Sequence, residues 1–401
     1  MNRPQLAHTL ADTLPELAHE EPGTQFENPQ LVALDEPLAA ELGLDVDWLQ
    51  SDDGLKFLTG AGGGHAMAYA GHQFGQFVPL LGDGRALLLG DIAGHEIQLK
   101  GSGPTAFSRP GSDGVGAIGP MLREHLVSTF MHAAGVPTTR SLAVLTTGGT
   151  VIRQQGAVPG GIVVRVAKSH LRVGTVQYAA TQSEELTRKV MEAAGFADAA
   201  EMLQTVTRRQ FDLVAHWMRL GFVHGVMNTD NVALSGETID YGPCAFTERF
   251  DGNISFSSID RQHRYAFGNQ PNIIAWNMAR LAEALYPLLG QEKVNEYVGT
   301  VQSAWDEAWN HWIGQDFDGL NGAEDITTYN RDHGINGAPG PVFVPRNQML
   351  QEAIDAAELH GDYTAYYDLL AAVGDPYNEK AAPEWMARPE GQLPYVTFCG
   401  T

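Results

Sequence analysis

His224-Gly225-Val226-Met227-Asn228-Thr229-Asp230-Asn231 is followed, nine residues after Asn231, by Asp240-Tyr241-Gly242. A helix ending at Leu220-Gly221 delivers the chain to this stretch. Residues 232–234 read as a short strand and Ser235-Gly236 as a turn. An Asn and an Asp on the two arms of such a hairpin can converge on one divalent ion, because both offer hard oxygen ligands. Asp230 adds a carboxylate that can take a proton beside them. Metal ligands and a neighbouring base are the parts that phosphoryl chemistry requires.

Moving outward, Ile97-Gln98-Leu99-Lys100 reads as a strand ending on a lysine. Lys100 alone is equally an exposed strand-end cation. Glu124 lies 24 residues on, inside a helix predicted over residues 120–134, and the Lys–Glu pair this allows is what a kinase uses to hold nucleotide phosphates. Glu124 also has a plain alternative, on the solvated face between Leu122 and Leu126. The order Lys, Glu, Asn, Asp resembles the protein-kinase pattern H-R-D-L-x-x-x-N followed by D-F-G. Five residues before Asn231, where a kinase has its catalytic Asp, stands Val226, which accepts no proton. The carboxylate has moved to Asp230.

The rest of the pattern suits that layout. Strands are predicted over residues 85–92, 95–100, 142–147, 151–154 and 161–166, with one helix inserted among them. Helices follow at 184–194, 199–220, 271–289, 292–313 and 347–372, and residues 314–345 read as a long loop rich in Gly, Asp and Asn. A short helix is expected near residues 37–44. The predicted class is α+β, a protein-kinase-like two-lobed fold. An N-terminal extension (1–60) packs on a β-rich N-lobe (61–167) and a helical C-lobe (168–401).

Composition limits the alternatives. An apolar fraction of 43% over 401 residues implies a folded protein with a large core. No apolar run is long enough for a transmembrane helix, and the first residues lack a signal-peptide order, so no membrane partner and a cytoplasmic location are expected. A formal charge of −23 argues against nucleic acid as partner. It leaves room for a nucleotide held by a few buried cations. Cys244 and Cys399 are the only cysteines, with no metal-binding spacing.

Several weaker signals cluster around Lys100. Gly82-Asp83-Gly84-Arg85 with Gly90 sits where a phosphate loop would be, although its spacing departs from G-x-G-x-x-G and an ordinary hairpin turn explains it as well. A second glycine-rich run, from Gly101 through Asp113 and Gly114, is long for a strand-to-helix loop. Arg165 and Arg172 suit bidentate phosphate contacts, and surface ion pairs suit them equally.

Tyr69-Ala70-Gly71-His72-Gln73-Phe74-Gly75, Gly82-Asp83-Gly84-Arg85, Leu99-Lys100-Gly101-Ser102-Gly103, the 224–231 loop and Cys399-Gly400-Thr401 together resemble the selenoprotein O family. The resemblance runs from about residue 25 to the C-terminus. It implies a pseudokinase fold that transfers AMP from ATP to protein hydroxyls, with ATP reversed in the cleft. Gly82, Gly84, Arg85, Lys100, Asp113, Gly114, Arg165, Arg172 and Asp240 match the family's nucleotide-binding positions, with Glu124 pairing Lys100. Asp230 matches its proton acceptor, and Asn231 and Asp240 its Mg2+ or Mn2+ ligands. Protein substrates with accessible hydroxyls, redox proteins among them, are the implied partners. A Cys244–Cys399 disulfide is a further implication, against two independent thiols. The region between residue 289 and Arg346 is shorter than is usual in the family. A kinase with a displaced base and an inactive nucleotide-binding scaffold are the competing readings. The scaffold is disfavoured by the retention of Lys100, Glu124, Asn231 and Asp240 together.

Overall fold

The computed structural model describes residues 3–153, 156–314, 325–378 and 395–397. It is an α+β protein built on one eight-stranded antiparallel sheet. The strands are β1 (Ala18–Glu21), β2 (Gln30–Leu34), β3 (Gly64–Met67), β6 (Ala86–Ile92), β7 (His95–Lys100), β8 (Gly116–Ala117), β9 (Arg140–Arg153) and β10 (Gly156–Ala167). The path across the sheet is β1-β3-β6-β7-β10-β9-β2, with β8 pairing β10 off that path. A separate hairpin joins β4 (Gly71–Gln73) to β5 (Gln76–Val78). Residues 1–60 therefore supply both edge strands, one at each end of the sheet.

Period-2 alternation gives the sheet two buried faces. Ile97, Leu99, Ile162 and Val164 point to one face, where they pack on Leu38, Trp48 and Phe57 from the short helices α2 (Glu36–Glu41), α3 (Val46–Leu49) and α4 (Asp52–Leu58) that follow α1 (Thr9–Thr13). The opposite face carries α5 (Ile118–Ala133), whose Ile118, Leu122, Leu126 and Phe130 are buried together with Val163. This second core runs on without a break into the helical half: α6 (Val173–Gln182), α7 (Glu184–Ala193), α8 (Ala199–Arg219), α9 (Gln270–Val298), α10 (Val301–Trp312), α11 (Ile326–His333), α12 (Asn347–His360) and α13 (Thr364–Val373). None of the helices among the described residues is long and apolar enough to cross a membrane.

Four expectations need correction. Residues 142–147 and 151–154 are not two strands. They lie on one strand, β9, because Thr147-Gly148-Gly149 is absorbed as a bulge opposite Gly160 instead of turning the chain; Gln154 itself lies outside the described residues. The segment 232–234 is not a hairpin strand. It makes a single bridge between Ala233 and Arg172, on the approach to α6. The loop predicted over 314–345 contains α11, capped by Asp325, whose carboxylate accepts from Thr328 N at 2.6 Å and pairs with the buried Arg346 at 3.2 Å; residues 315–324 lie outside the description. The helix predicted over 347–372 is two helices, broken at Gly361 with φ +65°. Another predicted break survives: α9 is interrupted at Gly290, one residue beyond the helix predicted over 271–289.

α5 must hold Glu124 rigidly, and its neighbour His125 helps to do so. His125 is buried with Nδ1 2.5 Å from the Tyr366 hydroxyl of α13, and burial pushes its imidazole down to about 4. The unfolded chain therefore binds this proton first as pH falls. The associated stability is complete above about pH 6.5 and is lost progressively toward pH 4. Melting midpoints measured across that range should fall, and His125→Gln should flatten the fall. An unchanged slope in that variant would assign it to other groups.

Candidate active site

The antiparallel register assembles the centre of the site. Lys100 stands opposite Val163 and Arg165 opposite Gln98. Alternation puts Gln98, Lys100 and Arg165 on the α5 face, where Glu124 meets them. Lys100 Nζ donates to Glu124 Oε2 at 2.7 Å, Arg165 Nε donates to Glu124 Oε1, and Lys100 also donates to Asp240 Oδ1. Arg165 Nη2 lies 3.6 Å from the same Asp240 oxygen. Two cations and two carboxylates thus form one compact cluster, buried except at Asp240, whose side chain is 29% exposed. Burial acts to raise the Glu124 carboxyl, but Arg165 and Lys100 outweigh it and hold the group below its ordinary value. Asp240 behaves likewise: burial opposes ionisation, and Lys100 and Arg165, aided by Arg85, keep the carboxylate charged far into acid. Asp240 also has φ +70°, a conformation that costs a non-glycine residue about 1 kcal/mol or more.

A second shared carboxylate lies next door. Asp83, buried in the 82–85 turn, accepts from Met67 N at 3.1 Å and Gln98 Nε2 at 3.2 Å, and lies 3.6 Å from Arg172 Nη2. Arg172 also donates to the Asp230 carbonyl at 3.1 Å and packs over the Tyr69 ring. The two glycine-rich runs are laid together: Phe107 covers Gly82 and Gly84, Thr105 Oγ1 donates to the Asp83 carbonyl at 2.8 Å, and Ser108 donates to the Gly84 carbonyl. Asp113 and Gly114 sit at the far end of the second run. There Arg153 takes both Asp113 oxygens at 3.0 Å and holds that carboxyl below its ordinary value.

The 224–231 loop supplies the reactive end. His224 Nε2 lies 2.9 Å from the Ile239 carbonyl, tying this loop to the segment that presents Asp240. Asn231 Nδ2 donates to the Val226 carbonyl at 3.0 Å, which leaves its amide oxygen as the free end. Asp230 is buried with Oδ1 lacking any hydrogen-bond partner among the described residues. Burial pushes its carboxyl up to about 6, against opposing pulls from Arg172 and Gln73. The β4–β5 hairpin closes over it. A Cβ on Gly71 would fall against the Asp230 carboxylate, so this close approach requires glycine. His72 N donates to Thr229 Oγ1 at 2.7 Å, and Phe74 N donates to Asn228 Oδ1 at 3.0 Å. The hairpin turn is Phe74-Gly75, both at positive φ, the backbone of a type I′ turn but with an aromatic residue where Asn or Gly is usual.

The sequence-derived residues therefore divide. Lys100, Glu124, Arg165 and Asp240 meet directly. Arg172 and Asp230 join through the Asp230 carbonyl, and Arg85 acts through its charge on both Asp240 and Asp113. Asp113 makes its contacts with Arg153 and not with the central cluster. Asp83, Gln98, Gln73 and Arg153 were missed. Gln98 had a signal, being two residues from Lys100 on the same strand face. Arg153 had none, since its role depends on how far the second glycine-rich run folds back. Cys244 is buried and has no disulfide partner among the described residues, its thiol pushed up to about 12 by burial, and Cys399 lies outside them.

Comparison with known proteins agrees with this chemistry. The family model described as protein adenylyltransferase SelO matches residues 5–330. The chain is 42% identical to the protein nucleotidyltransferase YdiU of Mycolicibacterium paratuberculosis, over 97% of this chain and 96% of that protein. It is 42% identical to the namesake of Corynebacterium efficiens, over 98% and 95%, and to that of Cereibacter sphaeroides, over 93% and 94%. The first alignment extends over 477 positions, more than the 401 residues present, so the relative carries segments this chain lacks. The chain belongs to the SelO family of protein adenylyltransferases.

Proposed function

We propose that this protein is a nucleotidyltransferase that moves AMP from ATP to Ser, Thr or Tyr hydroxyls of other proteins. The observation that carries the reading is Asp230: a buried carboxylate with an unpartnered oxygen, beside a cluster of cations, with Val226 at the position of the kinase base. In the reaction the acceptor oxygen bonds to the α-phosphorus while the α–β phosphoanhydride bond breaks. The hydroxyl proton passes to Asp230 and pyrophosphate leaves. Lys100, Arg165 and Arg172, with Arg85, hold the phosphates and offset charge on the leaving group. A fold-level likeness to the two-lobed kinase cleft, with ATP reversed in it, belongs to the same proposal.

Asn231 and Asp240 would hold Mg2+ or Mn2+. The residues fit: both offer hard oxygens, and it is the amide nitrogen of Asn231, not its oxygen, that the Val226 carbonyl engages. A site of two protein ligands completed by nucleotide phosphates is the usual way such ions are bound. When bound, the ion supplies charge neutralisation for the departing pyrophosphate. Cytoplasmic residence, redox proteins as substrates and a regulatory Cys244–Cys399 disulfide complete the proposal. Thr397 supports the last of these, since its hydroxyl donates to the Pro243 carbonyl at 2.7 Å, beside Cys244.

Incubation with α-labelled or γ-labelled ATP and a divalent ion, followed by intact-mass analysis, tests the reading. An AMP mass gain carrying α-label is expected. Incorporation of γ-label instead would establish a kinase, and no covalent label a scaffold. Asp230→Asn should cut α-label transfer by about 10²–10⁴-fold while ATP still binds. Undiminished transfer would remove Asp230 from the base role.

A further inference from the structure

The hairpin that closes over Asp230 also leads outward to a pair of arginines that the nucleotide chemistry does not use. The His72 ring lies 5.1 Å from Trp276 of α9. Arg264 and Arg280 both pack on that indole, their guanidinium carbons 4.7 and 4.8 Å from its ring centroid. Burial holds the His72 imidazole below its ordinary value, and the charges of Arg280 and Arg264 add to that lowering. The two cations are not equally engaged. Arg280 pairs with Glu283 at 2.5 Å. Arg264, whose side chain hydrogen-bonds Tyr265, has no ion pair among the described residues, and the Nε atoms of both arginines lack a hydrogen-bond partner there. The nearby Asp260 carboxylate is occupied by the backbone N–H groups of Arg264 and Tyr265, at 2.9 and 2.8 Å. Phe77, across the hairpin from His72, is 42% exposed.

This is a cationic, aromatic surface on a chain whose formal charge is −23. It is fixed to the catalytic loop through rigid contacts. Phe74 N donates to Asn228 Oδ1, Tyr265 OH donates to the same oxygen at 2.5 Å, and Gln177 Nε2 lies 2.8 Å from His72 Nδ1. The Phe74 ring packs at a tilt against Tyr265, with centroids 5.3 Å apart. The positive φ of Phe74 is maintained by these contacts.

Resting on the adenylyl-transfer reading, we propose that the Arg264–Trp276–Arg280 surface docks an acidic stretch of the acceptor protein. One Asp or Glu side chain seats on the guanidinium of Arg264, which no carboxylate pairs among the described residues. Arg suits this role because its fork takes a carboxylate in two parallel hydrogen bonds, and stacking on an indole holds that fork in place.

A fluorescein-labelled peptide carrying one Ser flanked by Glu, and its counterpart with Gln in place of Glu, test the proposal by anisotropy with the full-length protein. The Glu peptide should bind about ten-fold more tightly, with the preference shrinking as salt is raised. Arg264→Glu should abolish or reverse the preference. Glu283→Gln, which releases Arg280, should enlarge it. Arg188→Gln, at a surface pair on α7 with Glu184, should leave it unchanged. Equal binding of both peptides, or a preference that survives Arg264→Glu, overturns the docking surface. Binding is read without catalysis, so the two readings separate. Preferential binding with no α-label on any acceptor would sink adenylyl transfer and leave the surface standing. Label transfer with no preference would do the reverse.

Discussion

An Asp240→Ala variant is expected to lose adenylyl transfer by on the order of 10³-fold, read as α-label incorporated per enzyme. Two effects combine at this residue. Its carboxylate is the anionic member of the proposed metal pair, and it also fixes Lys100 and Arg165, the cations proposed to hold the phosphates. Removing it leaves both cations leaning on Glu124 alone and takes away the charged ligand for the ion. Asp240→Asn separates the contributions, since it keeps the shape and one acceptor oxygen but not the charge. Its left-handed backbone suits Asn as well as Asp, so a folding defect is not expected. Transfer at the wild-type rate in either variant would refute the metal assignment.

Glu124→Gln is expected to destabilise the fold by about 3–5 kcal/mol, the range for breaking a buried ion pair on one side. Glu124 is 1% exposed and receives Lys100 on one oxygen and Arg165 on the other. The amide offers one acceptor where there were two, and its own N–H groups face two cations. Arg165 Nη2 already lacks a hydrogen-bond partner, so the cluster has no spare acceptor to compensate. Denaturant titration should show a lower midpoint with an unchanged slope. A midpoint equal to wild type would mean that the cluster contributes to catalysis and not to stability.

How much of this was readable in the sequence depends on whether the determinant was local. The strand ending at Lys100, the Glu124 helix and the helix ending at Leu220 follow from apolar periodicity and their glycine stops. The Lys100–Glu124 pair was anticipated by motif order; Arg165, left open between a phosphate contact and a surface ion pair, is brought to it by strand register. What failed was local punctuation overridden by pairing. Gly148-Gly149 looks like a turn and becomes a bulge, because β10 continues alongside. Residues 326–333 look like loop and form a helix, because Asp325 caps them and Arg346 neutralises the cap. Asp83 and Arg153 were invisible for another reason. Each acts on a partner brought to it by a loop whose path no period describes.

The two edge strands bear on how the nascent chain matures. β1 finds its neighbour β3 soon after both are made, but β2 must wait for β9, more than a hundred residues later in synthesis. Until then the segment around Gln30–Leu34 leaves the ribosome as an unpaired hydrogen-bonding edge, the kind of surface on which chaperones and aggregates compete. The last contact to form on that side encloses the core beneath Leu142 and Leu145. Completion of the sheet is thereby tied to the arrival of β9 and of its neighbour β10, which carries Arg165, and a ribosome-stalled fragment ending before β9 would hold the N-terminal strands without the means to shelter them.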